Sequence, residues 1–232
     1  GNDWFGSYPN LGSKMIPAAI NWLREAEMID DKEKKISDKF DMVKRLYDHN
    51  RLAAWQIIWV GLAYNSAIVN SFVKSIKLDV NYSRDDIVAI MREGFPTLND
   101  NTIKNPTNAL ITMLRYSPLG HNSTEPEDPQ NIYVAELQMS GNSKRISPAY
   151  VSMHALAYLL YKEAHASKCF DITVSDLILP EGINPYTVFG MTPENLIPAL
   201  RGLTQAGILT ADLTGGLENV HLNEEMTPDE AL

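Results

Sequence analysis

The sequence predicts a mainly α-helical protein with small β-hairpins, organised as winged-helix-like units around a helical centre. Three observations lead to this fold class. Apolar residues recur at three- and four-residue spacing in several segments, which is typical of amphipathic helices. Short strand-like segments follow helices and are separated by turn residues. A long uncharged segment over residues 52–73 indicates helices that are buried in a core.

The first unit extends from about residue 12 to residue 47. Ser13 is placed to cap a helix that continues to about Glu27, and Pro17 lies in its first turn, where proline is tolerated. A charged turn over residues 30–35 then separates two short apolar segments, and a second amphipathic helix follows. The order of helix, hairpin and helix is typical of a winged-helix element.

The uncharged segment 52–73 is long enough to span a bilayer. Polar side chains, which are costly in hydrocarbon, interrupt it at Gln56, Asn65, Ser66, Asn70 and Ser71. The Asn65-Ser66 step favours two shorter helices buried in a protein core. We therefore expect no membrane contact.

The second unit covers residues 83–147 and begins with two helices. Ser83 is the expected cap of the first helix, which carries acidic residues in its first turn. The second helix is expected to begin at Asn99 or Asn101.

A loop and a hairpin complete the second unit. Residues 121–130 are rich in proline and acidic side chains and predict a solvated connection. Residues 132–139 alternate in strand fashion, residues 140–143 predict a turn, and residues 144–146 predict the returning strand.

The third unit has the clearest start and stop signals. An amphipathic helix opens it, and a short second helix is expected over residues 174–179. Thr192 and Pro193 are the expected cap and first residue of a further helix. Gly207 is expected to end that helix in the left-handed conformation, before a hairpin centred on Gly215-Gly216.

These units divide the chain into three parts. Residues 1–82 hold the first unit and the central helices, residues 83–147 hold the second unit, and residues 148–232 hold the third unit and an acidic tail. The units do not align at a fixed period, so they are not a sequence repeat. Residue 1 is Gly rather than Met and no signal-peptide pattern follows, so we expect the chain to be part of a longer protein.

The sequence offers little for catalysis or metal binding. Cys169 is the only cysteine, which excludes an internal disulfide, a four-thiolate zinc site and an iron–sulfur cluster, and favours a reducing cytoplasm. We interpret Cys169 as a buried packing residue. His154 and His165 would lie about 16 Å apart along one helix, too far to bind one ion. The spacing of Gly12-Ser13-Lys14 does not match a phosphate-binding loop. We therefore expect no catalytic residue, metal or cofactor.

The charge distribution restricts where nucleic acid could bind. A net charge of −9 and a pI near 5.0 argue against a broad phosphate-binding surface. Four cations of the second unit nevertheless form a candidate nucleic-acid-binding face: Lys104, Arg115, Lys144 and Arg145. The alternative is that these residues lie in solvated turns. After Arg201 the chain has acidic residues but no Lys or Arg, so the third hairpin would repel phosphate.

Several runs of residues follow an order found in a known domain family: Gly12-Ser13-Lys14-Met15, Trp22-Leu23, Trp55, Asn101-Thr102-Ile103-Lys104-Asn105, Gln205-Ala206-Gly207-Ile208-Leu209 and Gly216-Leu217-Glu218-Asn219-Val220-His221-Leu222. From about residue 11 to 222 the chain resembles a domain family of unknown function. Members occur alone or as the C-terminal part of proteins similar to phosphoadenosine phosphosulfate reductases, often beside DNA-sulfur-modification or phage-defence genes. The resemblance implies no functional residues to transfer. The nucleotide loop and Cys-Gly pair of the reductase-like portion do not occur here, so sulfonucleotide reduction is not expected of these residues.

Three functions follow from these observations. We expect a non-catalytic accessory or assembly module that contacts a neighbouring domain or partner subunit. The alternative is a weak DNA-binding winged-helix module that acts through residues 101–145. The third is that the chain supplies part of an active site that a reductase-like domain completes.

Overall fold

The computed structural model describes residues 15–30, 35–122, 135–137, 142–214 and 217–232. Over this part of the chain the protein is mainly helical, and small sheets of two to four short strands lie between the helices. The predicted fold class, mainly α with small β-hairpins, is confirmed. The winged-helix interpretation of the units and the three-part division of the chain stay predictions.

The first unit has the predicted order of helix, hairpin and helix. Helix α1 (Met15–Glu25) leads into the antiparallel strands β1 (Ile29–Asp30) and β2 (Lys35–Ile36), and α2 (Asp38–His49) follows. Ser37 caps α2 by accepting a hydrogen bond from a backbone amide of the first turn. The expected cap Ser13 and residues 31–34 of the charged turn lie outside the described residues.

Two buried helices, α3 (Arg51–Asn65) and α4 (Ala67–Ser75), form the centre, as predicted. They meet at an angle of 98°. No single helix in the described ranges is long and apolar enough to cross a membrane, although α3 and α4 taken together have that length and composition. The fully buried amide of Gln56 hydrogen-bonds the carbonyl of Tyr150 at 3.3 Å and the amide of Ser152 at 2.8 Å. These bonds explain why a polar side chain is tolerated there.

The helices of the second unit begin where the capping signals indicate. Strand β3 (Asn81–Tyr82) precedes α5 (Arg84–Gly94), and α6 (Asp100–Tyr116) follows. Ser83 caps α5 in a reciprocal capping box with Asp86. Asn99, rather than Asn101, caps α6.

Strands β4 (Gly120–Asn122), β5 (Ala135–Leu137) and β6 (Ser143–Lys144) complete a four-stranded sheet in the order β3-β6-β5-β4. The predicted hairpin is confirmed where it is described, because β5 and β6 pair antiparallel. The connection predicted from residue 121 instead starts as part of β4, whose backbone pairs parallel with β5. Residues 123–130 lie outside the described part of the chain.

The third unit contains three helices and a three-stranded sheet: α7 (Met153–Ser167), β7 (Asp171–Thr173), α8 (Pro185–Phe189), α9 (Pro193–Gln205), β8 (Thr210–Thr214) and β9 (Leu217–His221). The start of α9 at Pro193, the left-handed Gly207 (φ 73°) and the final hairpin are confirmed. The short helix predicted over residues 174–179 is present only as a 3-10 helix (Asp176–Ile178), because β7 pairs with β9 up to Thr173 and Pro180 follows closely.

One continuous hydrophobic core includes residues of all three units, with α3 packed against α1, α2, α4 and α7. The buried indole of Trp59 donates a hydrogen bond to the carbonyl of Val188 at 2.9 Å. Gly61 permits a close approach of α1 to α3, since a Cβ atom at this position would lie 2.9 Å from the carbonyl oxygen of Ala26. The end of α1 can therefore pack directly on the backbone of α3.

We predict that Gly61→Ala lowers the free energy of unfolding by about 1–3 kcal/mol, because the added methyl group meets rigid backbone. Gly202→Ala is the matched control, since that helical glycine faces only the flexible end of Met153, with Cβ to Sδ at 3.2 Å. It should be neutral or stabilising by up to about 1 kcal/mol, from helix propensity alone. Urea unfolding of the two variants checks this, and equal stabilities would contradict the close approach.

Candidate functional site: a carboxylate between two lysines

The four predicted nucleic-acid-binding residues occupy different environments. Lys104 is exposed near the start of α6, and Arg115 is partly exposed near its end, about 16 Å along the helix. Lys144 is partly exposed in β6. Arg145 is only 3% exposed, so the prediction that it contributes to a surface is wrong. Successive strand residues point to opposite faces, and this alternation alone indicates that Lys144 and Arg145 would not act together.

Arg145 is a structural cation. Its guanidinium donates to the carbonyls of Val73 and Ile76 at 2.7 and 3.2 Å, at the end of α4, and to those of Tyr186 and Thr187 in α8. Carbonyls at a helix C-terminus lack partners within the helix and attract positive charge. Burial lowers the pKa of Arg145 to about 10, an effect that Tyr186 partly opposes. The side chain therefore stays charged at neutral pH and joins the second unit to α4 and α8.

A partly buried cluster of charges is centred on Glu27, in the turn after α1. Its Oε2 accepts hydrogen bonds from Lys39 Nζ at 2.6 Å and from the Tyr158 hydroxyl at 2.5 Å. Its Oε1 accepts from Lys162 Nζ at 2.5 Å and from Asn65 Nδ2 at 3.0 Å. These donors lie on α2, α3 and α7, so one carboxylate connects three helices to the turn.

The two lysines of this cluster are shielded from solvent, with side-chain exposures of 10% for Lys39 and 19% for Lys162. Lys39 Nζ also lies 3.0 Å from Asp229 Oδ1 and 4.5 Å from the centre of the Tyr158 ring. Lys162 Nζ lies 5.1 Å from the centre of the Tyr64 ring. The ammonium groups are thus held by carboxylates and aromatic faces together.

The environment of the cluster shifts its pKa values strongly. Burial alone would raise the pKa of Glu27, but the charges and hydrogen bonds of Lys39 and Lys162 outweigh burial and hold that pKa well below its ordinary value. Burial raises the pKa of Tyr158, reinforced by the charge of Glu27. Burial also raises the pKa of Tyr64, whose hydroxyl donates to Glu163 Oε2 at 2.5 Å. Both phenols therefore stay protonated and act as donors.

Two open clefts adjoin the cluster, with volumes of about 680 and 280 Å³. Glu27 and Ser37 line both, and Lys39 and Asp229 line the smaller one. A carboxylate that already accepts four hydrogen bonds is poorly placed to act as a base on a bound molecule. The arrangement suits binding and the joining of segments better than proton transfer.

The remaining candidate residues of the sequence are not brought together. His154 is exposed, and the His165 ring packs edge-on against Phe170 with centroids 5.1 Å apart. Cys169 is exposed rather than buried, which corrects the packing interpretation, because it follows α7 in a surface turn and donates to the carbonyl of Asp171 at 3.2 Å. Among the described residues no group of three or more His, Cys, Asp and Glu side chains could hold a metal ion.

A second surface lies where α3 and α7 both begin. The two helices run side by side in the same direction, since Gln56 contacts Ser152 near their starts and Tyr64 contacts Glu163 further along. Exposed aromatic, apolar and cationic side chains lie on or beside the packed helices α2, α3, α7 and α9 here, and we call this surface the basic-aromatic end: Lys44, Arg45, Tyr47, Arg51, Tyr150, Met153 and Arg201. The Arg51 guanidinium lies 5.4 Å from the centre of the Tyr47 ring.

Sequence reasoning missed both groupings. Glu27, Lys39 and Lys162 are separated by long stretches of chain and follow no motif spacing. A signal for the basic-aromatic end was present locally, because residues 44–51 contain three Lys or Arg and one Asp. Arg201 joins them only through the tertiary fold, since the adjacent Gly202 lies against Met153.

Comparison with known proteins supports the fold and little more. No family model matches the chain, and no curated protein matches it in sequence. A solved structure described as a magnesium-ion-bound SspB crystal structure is similar, with a TM-score of 0.63 and 11% sequence identity. The match covers 92% of this chain and 72% of that one. At this identity the similarity shows a shared fold.

We predict that Glu27→Gln destabilises the protein at neutral pH by about 1–3 kcal/mol, because two shielded lysines lose a shared counter-ion that is itself 27% exposed, while Lys39 keeps Asp229. The pKa of Glu27 is lowered in the folded state from an ordinary value of 4.5, so its stabilising effect is present above that pH and is lost as the pH falls below it. The difference between wild type and variant should therefore narrow below about pH 4.5.

Urea unfolding at a series of pH values measures this difference. Glu93→Gln, at an exposed glutamate on α5, is the matched control and should change stability little at any pH. Equal effects of the two substitutions would show that the cluster contributes nothing specific.

Proposed function

We propose that this chain is a non-catalytic accessory or assembly module of a larger protein that resembles phosphoadenosine phosphosulfate reductases. From that resemblance we infer a role in DNA sulfur modification or phage defence, in the cytoplasm. The observation that supports a non-catalytic role is the Glu27 cluster, whose charged groups are bonded to one another. Its partner would be the neighbouring domain or a separate subunit.

The chemistry of the cluster agrees with this proposal. The two carboxylate oxygens of Glu27 accept hydrogen bonds from four donors. Because the pKa of Tyr158 is raised, its hydroxyl stays protonated near neutral pH and cannot act as a base. Groups arranged in this way stabilise an orientation of helices on which a partner surface can be built.

We predict that the purified chain neither reduces sulfonucleotides nor transfers nucleotides, since its sequence lacks the phosphate-loop spacing and a second thiol. Turnover is measured against a blank without enzyme, with a reductase-like protein as the positive control. Turnover by the chain alone would contradict the accessory role. Activity that appears only when the chain and a reductase-like domain are combined would favour the third function, a shared active site.

Weak DNA binding is the second candidate function, and the basic-aromatic end is the observation that favours it. Exposed cations beside tyrosine rings suit phosphate contacts together with stacking on bases. Lys104, Arg115 and Lys144 of the originally predicted face, residues 101–145, stay candidates. Arg145 does not, because its guanidinium is bonded inside the protein.

We predict that a Lys44→Ala, Arg51→Ala and Arg201→Ala variant weakens binding to duplex DNA of any sequence, since phosphate contacts carry no base information. Its log–log salt slope should fall by about one for each lost contact. A Lys104→Ala, Arg115→Ala and Lys144→Ala variant, with the same change of charge, is the control for location. Titrations at two salt concentrations separate the two surfaces. Loss of binding in the control alone would place the contact in residues 101–145, and no binding by wild type at low salt would reject this candidate.

A further inference from the structure

The C-terminal strap, residues 222–232, contacts α7 and then reaches α2. The amide of Asn223 donates to the Tyr161 hydroxyl at 3.2 Å, and His165 Nε2 lies 2.9 Å from the carbonyl oxygen of Met226. Asp229 then pairs with Lys39 at 3.0 Å. The strap is therefore held by main-chain hydrogen bonds at Asn223 and Met226 and by one side-chain ion pair at Asp229.

Apolar side chains anchor the strap beneath these polar contacts. Leu222 is 7% exposed and Ala231 is 4% exposed, and Met226 and Leu232 pack partly buried against the core. The acidic side chains of Glu224 and Glu225 point to solvent. The strap thus contacts the body of the protein as a bound peptide would, through backbone bonds, apolar anchors and a single carboxylate.

Charge explains why that carboxylate is needed. Lys39 and Lys162 face Glu27, which leaves one positive charge without a match, and Asp229 supplies the second negative charge. Lys39 is shielded, with 10% of its side chain exposed, whereas Asp229 is 59% exposed, so solvent screens part of their attraction. The positive charge of Lys39 still makes an acidic group the favoured one at this position of the groove.

We propose that the groove between α2 and α7 is a docking site for acidic peptide segments, which the strap occupies within its own chain. The fitting segment carries a carboxylate for Lys39 and, two or three residues later, small or apolar side chains for the positions of Ala231 and Leu232. This inference rests on the proposed accessory role and names the kind of protein segment that the module binds. A partner must displace the strap, whose attachment gives it a high effective concentration.

A labelled peptide with the sequence of residues 222–232 tests the groove with the full chain. Asp229→Lys places a second ammonium group beside that of Lys39 and should release the strap. Because the released strap no longer competes for the groove, the peptide should bind this variant about tenfold more tightly than wild type. Glu224→Lys is the matched control, because it makes the same change of charge in the strap at an exposed residue. It should bind the peptide no better than wild type.

Two further measurements complete the test. The amide of Ala231, bonded to Thr227 at 3.2 Å, should exchange hydrogen faster in Asp229→Lys than in Glu224→Lys. A peptide with Asn in place of Asp229 should bind the released groove about tenfold more weakly, as a charged hydrogen bond is lost. Circular dichroism verifies that each variant is folded. If Asp229→Lys is not folded, Asp229→Ala replaces it in the same measurements.

The proposal is overturned if the peptide binds Asp229→Lys no better than wild type, if a scrambled peptide binds equally well, or if the strap amides stay equally protected. No partner protein takes part in these measurements. A negative result therefore removes the groove and leaves the accessory role standing, whereas turnover by the chain alone removes the accessory role.

Discussion

One carboxylate facing two shielded lysines holds the arrangement on which the rest of this structure depends. A buried ion is tolerated only when its hydrogen-bonding positions are filled, and Glu27 receives donors from α2, α3 and α7. The backbone of Glu27 is left-handed, with φ of 63°, and those hydrogen bonds offset the energetic cost of this conformation. The orientation of three helices and of the C-terminal strap is thereby coupled to one side chain.

Arg145 has an equivalent role where α4 and α8 meet the second unit. Together with Lys39 and Lys162 it shows how an acidic chain uses part of its positive charge internally. The number of cations in the sequence therefore overstates what is available for phosphate. Of the four cations of the face predicted over residues 101–145, Arg145 is used in this way.

The two surfaces that we consider for partners use different parts of α7. Met153 of the basic-aromatic end is the first residue of that helix, whereas Tyr158, beside Lys39, and His165, which contacts the strap, lie about 8 and 18 Å further along. One surface is cationic and aromatic, and the other is covered by an acidic segment. Two chemically different surfaces can select different partners, which agrees with the proposed assembly role.

Local signals in the sequence determined most of the elements by themselves: the capping residues Ser83 and Thr192, the break at Ser66, and Gly207 after α9. Each signal acts within a few residues, as helix capping and turn conformations do. Only the tertiary structure decided that Arg145 is buried while Lys144 is partly exposed, that residues 174–179 form no more than a 3-10 helix beside β7, and that Glu27 meets Lys162. The environment of a charge and the pairing of a short strand depend on residues that are distant in the chain, and the spacing of neighbouring residues carries no information about them.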